Sequence, residues 1–259
     1  MFLSRLYFLI LPVIVTVSSC CNNSSRAGIA SESPYWGHFI AHAGGSIDGI
    51  NYTNSLEALE LSYSKGCKMF ELDLVLTADG KIVASRGILN KTEAEFMAQR
   101  IAGKYTPMNM ESINLWFENH PDAILVTDKF DDPERIYEEF LFVNRLIMEL
   151  FTWEAIDKAI ELGIKPMVTE KLFFGTSNIE TVLKDKKIEY ISMNYKRIFW
   201  NKKLLKKVKK AGVKNYVFNL ELPIRNQPAE QYIWKHKMKF CYGIYANDLD
   251  ILKPDSLNL

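Results

Sequence analysis

After residue 35, short apolar runs alternate with segments of helical periodicity along the whole chain, and this pattern limits the possible folds more than any other feature. Such alternation is typical of βαβ units, in which parallel strands are joined by helices. Strands are predicted at residues 38–43, 68–76, 123–129, 145–151, 166–171, 190–194, 215–220 and 240–245. Helices are predicted at 55–65, 110–119, 152–162, 178–184 and 202–211. Eight strands in one domain predict a closed α/β barrel, the (β/α)8 TIM barrel.

An open, doubly wound sheet is the alternative arrangement of the same elements. It is disfavoured because no glycine-rich phosphate loop opens any predicted helix. The length of 259 residues also suits one large domain, since such barrels have about 250 residues.

The net charge disfavours one class of partner. The formal charge is +1, whereas nucleic-acid-binding domains carry a strongly basic surface, so we expect no nucleic-acid partner. The segment 201–210 is locally basic, with leucines and a valine at helical spacing. It predicts a solvated helix face or, as a second interpretation, contact with an anionic membrane surface.

The amino terminus has the layout of an export signal. Arg5 precedes an apolar stretch at 6–17 that is too short to span a bilayer comfortably. The stretch ends in Val17-Ser18-Ser19-Cys20, which looks like a lipobox with Cys20 as the lipidated residue. We therefore predict a lipoprotein signal peptide at 1–19, a lipid-anchored tether at 20–34 and one domain at 35–259. The protein would be exported and anchored in the bacterial cell envelope; a plain secretory signal or an uncleaved anchor is the alternative.

Two cysteines, Cys67 and Cys241, belong to the predicted domain. An exported protein is in a compartment that permits disulfides, so the two residues can form one. Two buried free thiols are the alternative, and the sequence does not decide between them.

Two acidic residues interrupt the apolar run of the second predicted strand. Glu71 and Asp73 are two positions apart, so both side chains leave the same face of a strand. Unpaired carboxylates in an apolar strand repel each other and lose solvation, and a hard cation such as Mg2+ or Ca2+ removes that cost. A partly exposed strand is the alternative.

At the end of the first strand, His42 is followed by Gly44, and a glycine lets the backbone approach a ligand closely.

The order of these motifs carries a family resemblance. His42-Ala43-Gly44, then Asn54-Ser55-Leu56-Glu57-Ala58, then Glu71-Leu72-Asp73 with Thr77-Ala78-Asp79-Gly80 resemble the opening of a glycerophosphodiester phosphodiesterase. Order and spacing match over the first third of the chain, and the remainder matches only as a barrel. The resemblance implies a TIM barrel of the PLC-like phosphodiesterase type, a divalent metal (Ca2+ or Mg2+) and a small phosphodiester substrate.

The resemblance also implies roles for individual residues. His42 matches the first of two proton-shuttling histidines, and Glu71 and Asp73 match metal ligands. Asp128 is the candidate for a third acidic ligand. The family has its acid and lysine two positions apart there, whereas Asp128 and Lys129 are adjacent, and a regular strand turns only one of them inward. We prefer Asp128, with Thr127 and Lys129 inward as the alternative.

Further residues at predicted strand ends are candidates for the substrate pocket. Gly44 and Lys129 are predicted at the phosphate. Glu170 and Lys171 end the fifth predicted strand and Glu149 lies near the end of the fourth; these three are weaker candidates for lining the pocket.

Three positions depart from the family pattern. Ala43 stands at the phosphate-gripping arginine, Thr53 at the first metal-binding glutamate, and Arg86 at the second histidine. Arginine stays protonated and cannot cycle protons, but its guanidinium can hold a phosphate by two hydrogen bonds. Arg86 is therefore predicted as a phosphate ligand at a catalytic position.

These departures leave three interpretations of function. The first is a metal-dependent phosphodiester hydrolase acting on glycerophosphodiesters or related phospholipid-derived diesters. The second is a catalytically impaired relative that binds a phosphorylated ligand or a partner at the same pocket. Phospholipase or sphingomyelinase action, which uses a similar barrel, is the third.

Overall fold

The computed structural model describes residues 36–252. The chain divides into two units, Met1–Ser31 and Glu32–Leu259, and the described residues belong to the second. The predicted signal peptide, the tether and Cys20 lie outside the described residues. Within residues 36–252, no helix has the length and apolar character needed to cross a bilayer.

Eight parallel strands close into a barrel, which confirms the predicted fold class. The ring closes because the first strand pairs with both the second and the last. A short antiparallel strand, which the sequence analysis did not predict, pairs with the last three residues of the second strand, 74–76. The strands are β1 Phe39–Ala41, β2 Met69–Leu76, β3 Ile82–Ala84 (the antiparallel one), β4 Ile124–Asp128, β5 Leu146–Leu150, β6 Lys165–Thr169, β7 Tyr190–Asn194, β8 Lys214–Phe218 and β9 Gly243–Ala246. All of them lie within the unit Glu32–Leu259, which therefore contains every strand that the barrel needs.

Helices connect the strands, and several begin at a side chain that caps the first free N–H groups. Ser55, Asn109, Thr152 and Asn201 each accept a hydrogen bond at a helix start. All five predicted helices are present. The helices are α1 Leu56–Ser64, α2 Glu93–Met97, α3 Met110–Asn119, α4 Pro133–Glu139, α5 Trp153–Glu161, α6 Ile179–Asp185, α7 Arg197–Trp200, α8 Lys202–Ala211 and α9 Ala229–Lys237.

The barrel interior is layered by the alternation of side chains along each strand. Its apolar layers are formed by Ile40, Met69, Val126, Ile147, Met167, Tyr190, Tyr216 and Tyr245. Two residues further along β2, β4, β5 and β7, the inward positions are polar: Glu71, Asp128, Glu149 and Ser192. The polar layer therefore lies at the carboxyl-terminal end of the barrel, where barrel enzymes place their active sites.

The two cysteines of the domain are free thiols, so the disulfide alternative is wrong. Cys67 is fully buried, and its Sγ lies 3.2 Å from the carbonyl oxygen of Met69. Cys241 lies beside Met238. Burial raises the pKa of Cys67 to about 11 and that of Cys241 to about 12, so both thiols are protonated and unreactive at neutral pH.

Candidate active site

Three carboxylates on β2 and β4 meet at the carboxyl-terminal end of the barrel. Glu71, Asp73 and Asp128 each offer an oxygen that lies within 4.8 Å of the other two. The parallel register of the two strands produces this cluster, because it places Asp73 directly beside Asp128. Glu71 and Asp73 are buried and Asp128 is half-buried. The structure thus brings together the three residues that the sequence analysis selected as metal ligands.

The chemistry of this cluster fits a divalent cation. Glu71 Oε2 accepts a hydrogen bond of 2.6 Å from the Ala43 N–H, but its buried Oε1 has no hydrogen-bond partner among the described residues. Burial, and then the charges of Asp73 and Asp128, raise the pKa of Glu71 well above its usual range. A buried, unpartnered carboxylate oxygen facing two further carboxylates is costly without a positive charge. Mg2+ or Ca2+ would be held here by Glu71, Asp73 and Asp128.

Metal binding to the carboxylate cluster should release protons. Burial and neighbouring charge raise the pKa of both Glu71 and Asp128, so a cation must displace protons from the cluster. Because the raised pKa values favour the protonated carboxyls, the metal affinity should increase with pH. Calorimetric titrations with Mn2+ in two buffers of different ionisation enthalpy measure this release; identical heats in both buffers would contradict it.

Asn54 fixes the orientation of Asp73 through two hydrogen bonds. Asn54 Nδ2 donates to Asp73 Oδ2, and the Asp73 N–H donates to Asn54 Oδ1, both at 2.9 Å. Asn54 is buried and has a positive φ of 49°, a conformation that asparagine adopts more readily than most residues. The sequence analysis recognised its motif but gave Asn54 no role. Thr53, at the position of the first metal-binding glutamate, instead bonds to Ser55 Oγ within the turn.

Replacing Asn54 with alanine should weaken metal binding. Outer-shell residues that orient a ligand typically contribute 10–100-fold to metal affinity, and a loss of about that size is expected for Asn54→Ala. Calorimetry with Mn2+ measures it. The matched control is Asn51→Ala, since Asn51 is exposed in the same turn. An equal loss from both substitutions would contradict the role of Asn54.

Lys129 also reaches the cluster, which corrects the prediction that only one of Asp128 and Lys129 lies inward. Its Nζ lies 3.0 Å from Asp73 Oδ1 and donates to the Arg86 carbonyl oxygen at 2.6 Å. The reason is that β4 ends at Asp128 and Lys129 has a φ of 67°. This left-handed residue breaks the alternation of a regular strand, so both side chains face the site.

His42 lies at the carboxyl end of β1, beside the carboxylates. Its ring is in edge contact with the rings of Tyr52 and Tyr245, at centroid distances of 4.8 and 5.7 Å. Burial lowers the pKa of His42 to about 4 and outweighs the opposing effect of the Asp73 charge. The imidazole is therefore neutral at physiological pH and able to accept a proton.

Arg86 lies on the wall of the site and does not pair with the cluster. Its guanidinium carbon is 3.7 Å from the centroid of the Tyr52 ring, a cation–π contact. The hydroxyl of Tyr52 donates to Glu221 on the loop after β8, which holds the ring in place. Arg86 forms no ion pair with any carboxylate in the described part of the chain. The side chain is exposed, so its charge remains available to an anionic ligand.

Glu149 adds a fourth carboxyl group in the same layer as Glu71 and Asp128. It accepts hydrogen bonds from the hydroxyls of Ser192 and Tyr245, the latter at 3.0 Å. Burial, followed by the charge of Asp128, raises the pKa of Glu149 to about 8, so it is largely protonated at neutral pH. The sequence analysis placed Glu149 only among the weaker candidates. The sequence feature that indicates Glu149 is an acidic residue at an inward position of β5, two residues after Ile147.

Three further predicted residues lie outside the carboxylate cluster, although the positive charge of Lys171 is close enough to act on Glu149. Glu170 is buried, and its carboxylate pairs with Arg197 at 2.9 Å. Lys171 is exposed in the same short 3-10 helix, Glu170–Phe173. Gly44 has a φ of 83°, and its carbonyl accepts a hydrogen bond from Ser62 on α1. A Cβ at Gly44 would lie 3.3 Å from the Cβ of Ala58, so glycine lets the turn after His42 pack on α1.

No protein-family model matches the chain, and no curated protein does. Solved structures do match. A glycerophosphodiester phosphodiesterase from Thermotoga maritima has a TM-score of 0.65 at 20% identity, covering 83% of this chain and 96% of that one. One from Parabacteroides distasonis has a TM-score of 0.64 at 18% identity, covering 83% and 94%. A phosphodiesterase from Oleispira antarctica, solved with the product sn-glycerol-3-phosphate, has a TM-score of 0.60 at 17% identity, covering 83% and 94%.

The structural matches agree with the resemblance of the sequence motifs. Each covers nearly the whole of the solved domain, although the identities are low. The chain therefore has the (β/α)8 barrel fold of the glycerophosphodiester phosphodiesterases, as a divergent example of it.

Proposed function

We propose that this protein is a metal-dependent phosphodiester hydrolase that acts on glycerophosphodiesters or related phospholipid-derived diesters. The observation that carries the proposal is the buried cluster of Glu71, Asp73 and Asp128, with an unpartnered Glu71 oxygen, at the carboxyl end of this barrel. The fold shared with solved glycerophosphodiester phosphodiesterases supports this substrate class.

Each residue around the cluster has a chemical task in this proposal. A bound divalent cation would polarise a phosphoryl oxygen and neutralise charge in the transition state. Neutral His42 accepts the proton of the attacking oxygen, which its lowered pKa of about 4 allows at any physiological pH. Arg86 binds the phosphate oxygens through its guanidinium. Lys129 balances the charge of Asp73. It also donates to the carbonyl oxygen of Arg86 and so restrains the loop that carries Arg86.

Protonation of the leaving alkoxide is the weak point of this site. The chain has four histidines, and the other three lie away from the cluster: His38 contacts Tyr242, His120 stacks on Trp116, and His236 lies beside Tyr232. The site therefore lacks the second imidazole that the family resemblance implies as the proton donor to the leaving alkoxide. A missing general acid typically costs about 10²–10⁴-fold in rate.

This weakness favours a second candidate function, a catalytically impaired relative that binds a phosphorylated ligand or a partner at the same pocket. The specific observation is Arg86, which stands where the family resemblance expects the second histidine. It stacks on Tyr52 and has no ion-pair partner within residues 36–252. Such a site would bind a phosphate ester and hydrolyse it slowly.

We also propose that the protein is an exported lipoprotein of the bacterial cell envelope, anchored through Cys20. Support comes from the sequence at 1–20, which lies outside the described residues. Metabolic labelling with a fatty acid, compared between the full chain and Cys20→Ala, tests the anchor. Labelling of both proteins would contradict it.

The test of the proposed function is a substrate panel. The purified protein is incubated with glycerophosphocholine, bis(p-nitrophenyl) phosphate and phosphatidylcholine, with Mg2+, Ca2+, Mn2+ or EDTA. We expect metal-dependent turnover of the two water-soluble diesters, with the faster rate for the p-nitrophenyl ester. Hydrolysis of phosphatidylcholine alone would favour phospholipase action. Binding of sn-glycerol-3-phosphate without turnover of any diester would favour the impaired relative.

A further inference from the structure

A cavity of 710 Å³ lies at the amino-terminal end of the barrel, opposite the carboxylate cluster. It is lined by α8, by the loop between α8 and β8, and by the segment that precedes β9. Because β8 begins at Lys214 and β9 begins at Gly243, these segments are at the end where the parallel strands start. The carboxylates are at the end where the strands finish. A volume of this size is that of a ligand site.

The floor of the cavity is apolar. Leu205 and Val213 form its buried part, and Met238, Phe240 and Tyr242 are only partly buried. Side chains of this type leave apolar surface in contact with solvent, which is unfavourable unless something covers it. The floor therefore suits the hydrocarbon portion of an amphiphile.

The rim is formed by lysines. Lys202, Lys206 and Lys209 are at positions i, i+4 and i+7 of α8 and so form one stripe, and Lys239 approaches from the segment before β9. All four side chains are exposed. In the described part of the chain none of them forms an ion pair, and no carboxylate lines the cavity. The charge of the rim is thus complementary to an anion.

The described chain enters the barrel at this same end. The His38 ring lies 4.5 Å, centroid to centroid, from the ring of Tyr242, which lines the cavity. The Tyr216 hydroxyl donates to the Gly37 carbonyl oxygen, which holds the start of the domain at the barrel mouth. The described part of the chain therefore begins beside this cavity.

We propose that the lysine-rimmed cavity docks the barrel on the surface of an anionic phospholipid bilayer. The lysines contact the phosphate headgroups, and their alkyl stems together with the apolar floor cover part of a lipid chain. In this orientation the carboxylate cluster faces away from the bilayer, so the site receives diesters from the aqueous phase. The docking surface does not depend on catalysis, because none of its residues belongs to the proposed active site.

Vesicle binding tests this proposal on the unit Glu32–Leu259, which lacks the predicted lipid anchor and contains the complete barrel. Cooperative thermal unfolding is first used to establish that this unit is folded. We expect it to sediment with phosphatidylglycerol-containing vesicles and not with pure phosphatidylcholine vesicles. High salt should reduce the binding, since the lysines act through charge.

Two triple variants distinguish the effect of this surface on vesicle binding from the effect of net charge alone. Lys202→Gln with Lys206→Gln and Lys209→Gln should bind phosphatidylglycerol vesicles about 100-fold more weakly, since each lysine near such a surface contributes about 1 kcal/mol. The control is Lys81→Gln with Lys91→Gln and Lys104→Gln, which removes the same charge from exposed positions after β2, at the opposite end.

The control variant should bind like the wild-type protein, and the α8 variant should hydrolyse water-soluble diesters at the wild-type rate. Equal losses in both variants, equal binding to phosphatidylcholine vesicles, or no binding to phosphatidylglycerol vesicles would overturn the proposal. An inactive wild-type protein that still binds anionic vesicles would contradict the proposed function alone.

Discussion

Replacing Glu71 with glutamine is expected to abolish metal-dependent hydrolysis and, at the same time, to stabilise the metal-free protein. Residues that only orient a metal ligand change metal affinity or activity by up to about 100-fold. Loss of the ligand itself should therefore reduce activity by at least that factor. The gain in stability has a different cause. The pKa of Glu71 is raised well above its usual range by burial and by Asp73 and Asp128, so its charged form destabilises the fold as the pH rises above the unfolded-state value. Glutamine removes that charge.

The stability gain should therefore depend on pH in a defined direction. In EDTA at neutral pH, Glu71→Gln should unfold at a higher temperature than the wild-type protein, and the difference should shrink in acid, where Glu71 is protonated in both folded and unfolded chains. Thermal unfolding followed by circular dichroism measures both differences.

The matched control for this substitution is Glu57→Gln. Glu57 accepts two hydrogen bonds from Thr106. Burial opposes ionisation of Glu57, but the hydrogen bonds from Thr106 outweigh it and lower its pKa, so Glu57→Gln should not stabilise the protein. It should retain metal-dependent hydrolysis, because Glu57 does not belong to the cluster. A Glu71→Gln protein that is less stable in EDTA, or that keeps its metal-dependent activity, would contradict the assignment of Glu71.

Replacing Arg86 with histidine is expected to increase hydrolysis of glycerophosphocholine by about 100-fold, the lower end of what a general acid contributes. Arginine cannot release a proton at working pH, whereas an imidazole above the Tyr52 ring can deliver one to the leaving alkoxide. The gain should be much smaller for bis(p-nitrophenyl) phosphate, because p-nitrophenolate leaves without an acid. Binding of inorganic phosphate should become weaker, since the guanidinium is lost.

The leaving-group comparison distinguishes acid catalysis from a general improvement of the site. Arg100→His serves as the control, since Arg100 donates to Thr106 on the surface of the segment after β3 and should change neither rate. No gain in glycerophosphocholine hydrolysis together with unchanged phosphate affinity would show that Arg86 has neither role.

The positions of Glu71 and Asp73 were predictable because they depend on the local period of a strand. Two acids two residues apart in an apolar run share a face whatever the rest of the chain does. Asp128 required more: its place beside Asp73 depends on the register between β2 and β4, which are more than fifty residues apart in the sequence. The choice of Asp128 came from the family resemblance, and the register explains why it lies at the cluster.

Other features depend on backbone conformations that no periodicity reveals. Lys129 faces the site only because its φ is positive, and a regular strand would turn it outward. Asn54, which donates a hydrogen bond to Asp73, also has a positive φ. The extra strand β3 is three residues long, and its pairing with β2 was not apparent from its composition. The helix α4 had a usable signal that was overlooked, an Asp132 cap followed by Pro133 in the first turn.

The central claim is that a metal held by the carboxylate cluster supports diester hydrolysis, and a Mn2+ titration of glycerophosphocholine hydrolysis tests it most directly. The wild-type rate should rise with Mn2+ to saturation and fall to background in EDTA. The variant with Glu71→Ala and Asp73→Ala should show no metal-dependent rate at any concentration. A wild-type rate that is unaffected by EDTA, or a metal-dependent rate in the double variant, would contradict the claim.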